Sequence, residues 1–68
     1  MNEFASNLKA IRLKRNLKQI DVARALNISQ PAYSRYEVGS NQPDFDMLIQ
    51  IAKFFDVSTD YILGRYKS

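Results

Sequence analysis

The amino-acid sequence predicts an all-α fold of five short helices with no strand, and three observations carry that prediction. Apolar residues recur at steps of three and four, the period of one helical face. Only two glycines and two prolines punctuate the 68 residues, so the chain reads as helices with short joints. Leu17, Ile28 and Val57 each stand one residue before a plausible cap and five before an apolar residue (Val22, Tyr33 and Ile62), the spacing of the hydrophobic staple that fixes how a chain enters a helix.

The first helix is expected from about Glu3 to Arg15, with Phe4, Leu8, Ile11 and Arg15 along one face. The second spans Gln19 to Leu26, with Val22, Ala23 and Leu26 inward. Lys18 is a poor cap for it, partly offset by Asp21 near the positive helix end. Asn27 tolerates the left-handed conformation and turns the chain sharply. Ser29 then caps a third helix, Gln30 to Val38, which Gly39 ends. After the polar loop Ser40-Asn41-Gln42-Pro43, Asp44 caps a fourth helix, Phe45 to Phe55, and Ser58 a fifth, Thr59 to Leu63, which stops at Gly64. One domain is expected over residues 1–68, with no separate ligand-sensing domain after Gly64.

A chain this short buries only about 60% of the surface that its unfolded form exposes. It contains no cysteine and no histidine, so disulfide and zinc staples are excluded and helix packing or dimerisation must supply the stability. Nothing resembles a membrane span or a signal peptide, which makes a soluble, cytoplasmic protein the expectation. The lack of histidine and cysteine, of a glycine-rich phosphate loop and of an acidic cluster spaced for metal argues against an enzyme, a metal or a cofactor. Asp44 and Asp46 are explained as a cap and a dipole partner.

The net charge of +3 is unevenly placed. Lys9, Arg12, Lys14, Arg15, Lys18, Arg24 and Arg35 stand against Glu3 and Asp21 in the first half, whereas the second half is slightly acidic. Such polarity fits a face that meets a polyanion, although on charge alone ordinary solvated helix surface is the simpler reading.

On a helical wheel the third helix divides in two. Ala32, Tyr33, Tyr36 and Glu37 form an inner side, and Gln30, Pro31, Ser34, Arg35 and Val38 an outer one. The outer set suits the major groove: arginine pairs with guanine O6 and N7, glutamine with adenine N6 and N7, and small apolar groups touch the thymine methyl. A lone arginine or glutamine usually just faces water. The capped helix, the tight turn before it and the basic neighbouring helix raise the odds.

Gln19-Ile20-Asp21-Val22-Ala23, Leu26-Asn27-Ile28-Ser29 and Tyr33-Ser34-Arg35-Tyr36-Glu37-Val38-Gly39 together resemble the helix-turn-helix of the lambda-repressor-like, or Xre, family of bacterial and phage regulators. The likeness continues through Pro43, Leu48, Ile51-Ala52, Phe55-Asp56-Val57-Ser58 and Ile62-Leu63-Gly64. It implies a five-helix DNA-binding domain whose second and third helices, about 19–38, form the motif. It also implies sequence-specific transcription regulation, most simply as a repressor holding double-stranded DNA as a homodimer, since one recognition helix reads only a few base pairs.

By matching position, the resemblance places base reading on Gln30, Pro31, Ser34 and Arg35. It places backbone contacts on Lys18, Gln19, Ser29, Ser40, Asn41 and Gln42, and a structural ion pair on Arg12 and Glu37. Pro31 departs from the family pattern, standing where a long polar residue is frequent. Tyr33 replaces an aliphatic anchor, and its hydroxyl is expected to reach a phosphate. On the fourth helix Phe45, Leu48, Ile51, Ala52 and Phe55 form the expected core face. Met47, Ile49 and Phe54, with Tyr61 and Tyr66, are candidates for a dimer surface, the alternative being a widened core. The rival function is a protein-interaction module, such as an antitoxin that binds a toxin.

Overall fold

Every joint in the chain is closed locally by a residue that can take positive φ. The computed structural model describes residues 3–65. It holds α1 (Glu3–Lys14), α2 (Gln19–Leu26), α3 (Gln30–Val38), α4 (Phe45–Phe55) and α5 (Thr59–Leu63), with no strand among the described residues. Asn16, Asn27 and Asp56 adopt φ of 57°, 61° and 57°, a conformation that short polar side chains tolerate. Gly39 and Gly64 close α3 and α5 in the same way. α1 stops at Lys14, one residue short of the expected end at Arg15, because Arg15 already belongs to the turn that Asn16 closes.

The helix starts are equally local. Ser29 Oγ accepts the Ala32 N–H at 3.2 Å, Asp44 Oδ1 the Met47 N–H at 2.9 Å, and Ser58 Oγ the Tyr61 N–H at 2.9 Å. Lys18 has no acceptor to offer. Instead Asp21 reaches back to its backbone N–H at 3.0 Å. Leu17, Ile28 and Val57 pack half-buried against the core, while their staple partners Val22, Tyr33 and Ile62 are fully enclosed.

α3 lies against both α1 and α2; α4 packs on α2 and α5, and α5 returns to α1. The core sits where the five meet, built around Leu8, Val22, Tyr33, Ile51, Phe55 and Ile62. Arg15, expected on the inner face of α1, is exposed. Its Nη2 donates to the Phe55 carbonyl at 2.8 Å, satisfying one of the last carbonyls of α4.

Two expectations for α4 are corrected. Phe45, assigned to the core face, is 84% exposed, and Met47, assigned outside it, packs half-buried against the core. The cause is rotational. The fully buried residues Ile51, Ala52 and Phe55 centre the buried arc roughly 80° from both Phe45 and Met47, which are therefore edge positions. Phe45 lies at the open first turn, beside a groove bordered by Phe4, Pro43, Leu48 and Leu63, and no described residue closes over it.

Among the described residues no helix is long and apolar enough to cross a membrane.

Candidate nucleic-acid interface

The turn between α2 and α3 positions everything that follows. With Asn27 left-handed, the Ile28 N–H returns to the Ala23 carbonyl at 3.0 Å and the Asn27 N–H to that of Arg24 at 3.0 Å. These bonds satisfy the end of α2 while the chain reverses, as in a Schellman-type cap. Ser29 starts α3 at once. Pro31 falls at its second position, where the absent N–H costs little, and the next donor, on Ala32, is the one that Ser29 caps.

α3 buries Tyr33 (0% exposed) and Glu37 (7%) and leaves Pro31, Arg35 and Val38 exposed, with Gln30 and Ser34 half-buried beside them. The outer side holds one glutamine, one serine and one arginine facing away from the core. Among the described residues no carboxylate pairs with Arg35. Lys18 is exposed at the start of α2, and Ser29, Ser40, Asn41 and Gln42 are exposed around α3. The loop is pinned there because the N–H groups of Gly39, Ser40 and Asn41 all converge on the Arg35 carbonyl, at 3.1, 3.1 and 3.3 Å.

Under this surface lies a closed polar network. Arg12 donates through Nε to Glu37 Oε2 at 2.6 Å and through Nη2 to Glu37 Oε1 at 3.0 Å, a two-pronged ion pair between α1 and α3. Its Nη1 donates to the Leu17 carbonyl at 2.8 Å. The Tyr33 hydroxyl donates to Glu37 Oε2 at 2.5 Å, and Gln19 Nε2 to Glu37 Oε1 at 3.0 Å. Gln30 Nε2 donates in turn to Gln19 Oε1 at 2.6 Å. No buried side-chain N or O atom among the described residues lacks a partner.

The ionisations follow from this geometry. For Glu37 burial is the strongest single influence and would raise its pKa, but the hydrogen bonds from Arg12, Tyr33 and Gln19 together outweigh it and hold the carboxyl below its ordinary value. The bond to Glu37 raises Arg12. Burial, then the bond to Glu37, pushes the Tyr33 phenol far up. The interior is therefore a carboxylate, a guanidinium and a neutral phenol.

Tyr33 needs correction. Its hydroxyl was expected at a phosphate; it is fully enclosed and committed to Glu37, so it cannot reach DNA. The missed signal was its spacing: Tyr33 and Glu37 stand four apart on one helix, so the phenol meets an acceptor on its own inner face.

The dimer candidates among the described residues do not share one face. Ile49 (45% exposed) neighbours Phe45 on one flank of α4, whereas Phe54 (38%) lies roughly 140° away around the helix. Tyr61 is 38% exposed on α5, and Met47 is turned toward the core. Tyr66 lies outside the described residues. Among the described residues no cluster of acidic side chains could hold a metal ion.

Two helices joined by a tight left-handed turn, the second braced on the first and bare along its outer side, define a helix-turn-helix protein of the five-helix, lambda-repressor-like fold. The chain belongs to the family described as Helix-turn-helix, whose model matches residues 8–62. It is 47% identical over 60 residues to the uncharacterized HTH-type transcriptional regulator YqaE of Bacillus subtilis (strain 168), a match covering 88% of this chain and 52% of that protein. The chain spans about half the length of the curated relatives it matches. A crystal structure of a transcriptional regulator from Listeria innocua superposes with a TM-score of 0.87 at 31% identity, covering 96% of this chain and 61% of the other. The P22 c2 repressor protein, solved in complex with a synthetic operator, shares the fold with a TM-score of 0.87 at 23% identity, over 97% of this chain and all of that one.

Proposed function

We propose that the chain is a sequence-specific DNA-binding regulator of transcription, acting as a repressor on a palindromic operator. The observation that carries this reading is the bare outer side of α3, where Gln30, Ser34 and Arg35 stand on a helix whose opposite side is locked into the core. Family membership supports it. In this reading Arg35, Gln30 and Ser34 face base edges, and Pro31 offers apolar contact to a thymine methyl. Lys18, Gln19, Ser29 and the Ser40–Gln42 loop flank them at the phosphates. Backbone contacts supply affinity without sequence information, and base contacts discriminate.

Titration of the protein against random duplex at low and moderate salt tests the reading. Binding should weaken steeply with salt, and Lys18→Ala should shallow the slope of log affinity against log salt by about one unit. An unchanged slope removes Lys18 from the phosphate contacts. Absence of binding even at low salt favours the protein-interaction reading.

The finer proposal is a two-fold homodimer, which places two recognition helices on half-sites about 34–36 Å apart. The exposed pair Phe45 and Ile49 is more apolar surface than a solitary helix needs. Sedimentation at micromolar concentration with operator-length duplex should give two chains per duplex for the wild type and weaker pairing for Phe45→Ser. One chain per duplex refutes the dimer.

A further inference from the structure

We infer that Val38 reads a pyrimidine 5-methyl group, of thymine or of 5-methylcytosine, about three base pairs from the one that Pro31 touches. The inference rests on the DNA-binding reading above and adds to it a residue to which that reading gives no part.

Val38 is 71% exposed, on a helix whose larger apolar side chains, Tyr33 and Tyr36, pack into or against the core. The chain does not return to cover it. Gly39 turns at φ 83°, and the N–H groups of Gly39, Ser40 and Asn41 converge on the Arg35 carbonyl, which holds the start of the loop against the last turn of α3. A β-branched residue adds nothing to helix stability at an open position, where straight-chain residues are better helix formers.

Direction singles Val38 out. At 100° per residue, Pro31 and Val38 differ by only about 20° around the helix, although they stand two turns apart. Gln30 and Ser34 fall to one side of that line and Arg35 to the other, so two small apolar groups run down the middle of the outer side. The rise from Pro31 to Val38 is about 10.5 Å, close to three base-pair steps of about 3.4 Å. The whole of α3, nine residues, is about 13.5 Å long, a size that the major groove, about 12 Å wide, admits.

Neither side chain has a donor or an acceptor, so neither can hydrogen-bond a base edge or hold a phosphate. What each can do is bury a methyl group, and the major groove offers one on thymine. 5-Methylcytosine carries the same group on the same edge, which makes the Val38 position sensitive to cytosine methylation.

Bound duplexes are first selected from a random pool with the wild-type protein. In the selected operator each thymine is then replaced by uracil, which removes the 5-methyl group alone. Two replacements about three base pairs apart should each weaken binding about fourfold, the worth of one buried methyl-sized group. Val38→Thr keeps the shape of the side chain and exchanges a methyl for a hydroxyl. It should abolish the uracil penalty at one of the two positions and leave the other, which Pro31→Ala should abolish in turn. A C·G pair placed at the Val38 position should bind about fourfold more tightly when its cytosine is 5-methylated, for the wild type and not for Val38→Thr. A packing or subunit role of Val38 would weaken thymine and uracil duplexes alike and divide out of the ratio. Equal uracil penalties in the wild type and Val38→Thr at every thymine, or no penalty at any thymine, overturn the inference and leave the DNA-binding reading in place. Failure of the wild type to bind any duplex overturns both.

Discussion

Glu37→Gln is expected to lower the free energy of unfolding by about 3–5 kcal/mol, because it breaks a buried ion pair from one side and leaves the Arg12 charge enclosed without a counter-charge. The pair is enclosed on both sides, with side-chain exposures of 9% for Arg12 and 1% for Glu37. Small domains hold only about 5–15 kcal/mol in all, so such a loss brings the variant close to its unfolding threshold. Urea denaturation followed by helical circular dichroism measures it. The double variant Arg12→Met/Glu37→Met removes both charges and should recover part of the loss, since apolar replacement of a whole buried pair is often neutral. A cost below about 1 kcal/mol for Glu37→Gln would mean that the pair behaves as an exposed one. The pH dependence has a fixed sign. The folded-state pKa of Glu37 is depressed, so its contribution is present above the unfolded value and is lost as pH falls through the folded one. Acid destabilisation from this residue therefore begins as pH drops past about 4.3, the value of an unperturbed glutamate, and is complete only below the folded value. Glu37→Gln should lack that component of the acid limb.

What was legible in the sequence, and what was not, divides along local and tertiary lines. Helix limits came out within a residue because caps and left-handed turn residues act over three or four positions, as at Ser29 with Ala32 or at Asn27 with Ala23. The choice between Phe45 and Met47 on α4 did not, because both lie at the edges of the buried arc. Only the placement of α2 and α5 decides which edge is covered. Tyr33 failed for a related reason. An amphipathic side chain can pack its ring and aim its tip outward. Here the acceptor four residues on, made anionic by Arg12 from another helix, draws the hydroxyl inward. The Gln30–Gln19–Glu37 chain was beyond reach in the same way, because it joins residues 11 and 18 positions apart, which only the turn at Asn27 brings together.

Arg35→Ala is expected to weaken binding to the selected operator by about 1–3 kcal/mol, or roughly 5- to 150-fold, while binding to random duplex falls far less. Arg35 lies one turn beyond Pro31 on the exposed side of α3, and no carboxylate among the described residues competes for its guanidinium. Its backbone is held by the three N–H groups that converge on its carbonyl, so the side chain springs from a fixed point. A fork of N–H donors set on a rigid helix matches guanine O6 and N7, whereas a point charge does not. Arg35→Lys separates the two contributions, because it keeps the charge and removes the fork. If Arg35 reads a base, lysine restores affinity for random DNA and its salt dependence but not the preference for the operator. Equal losses on operator and random duplex for Arg35→Ala, with lysine restoring both, would move Arg35 to the phosphate backbone and leave Gln30 and Ser34 to carry the discrimination alone.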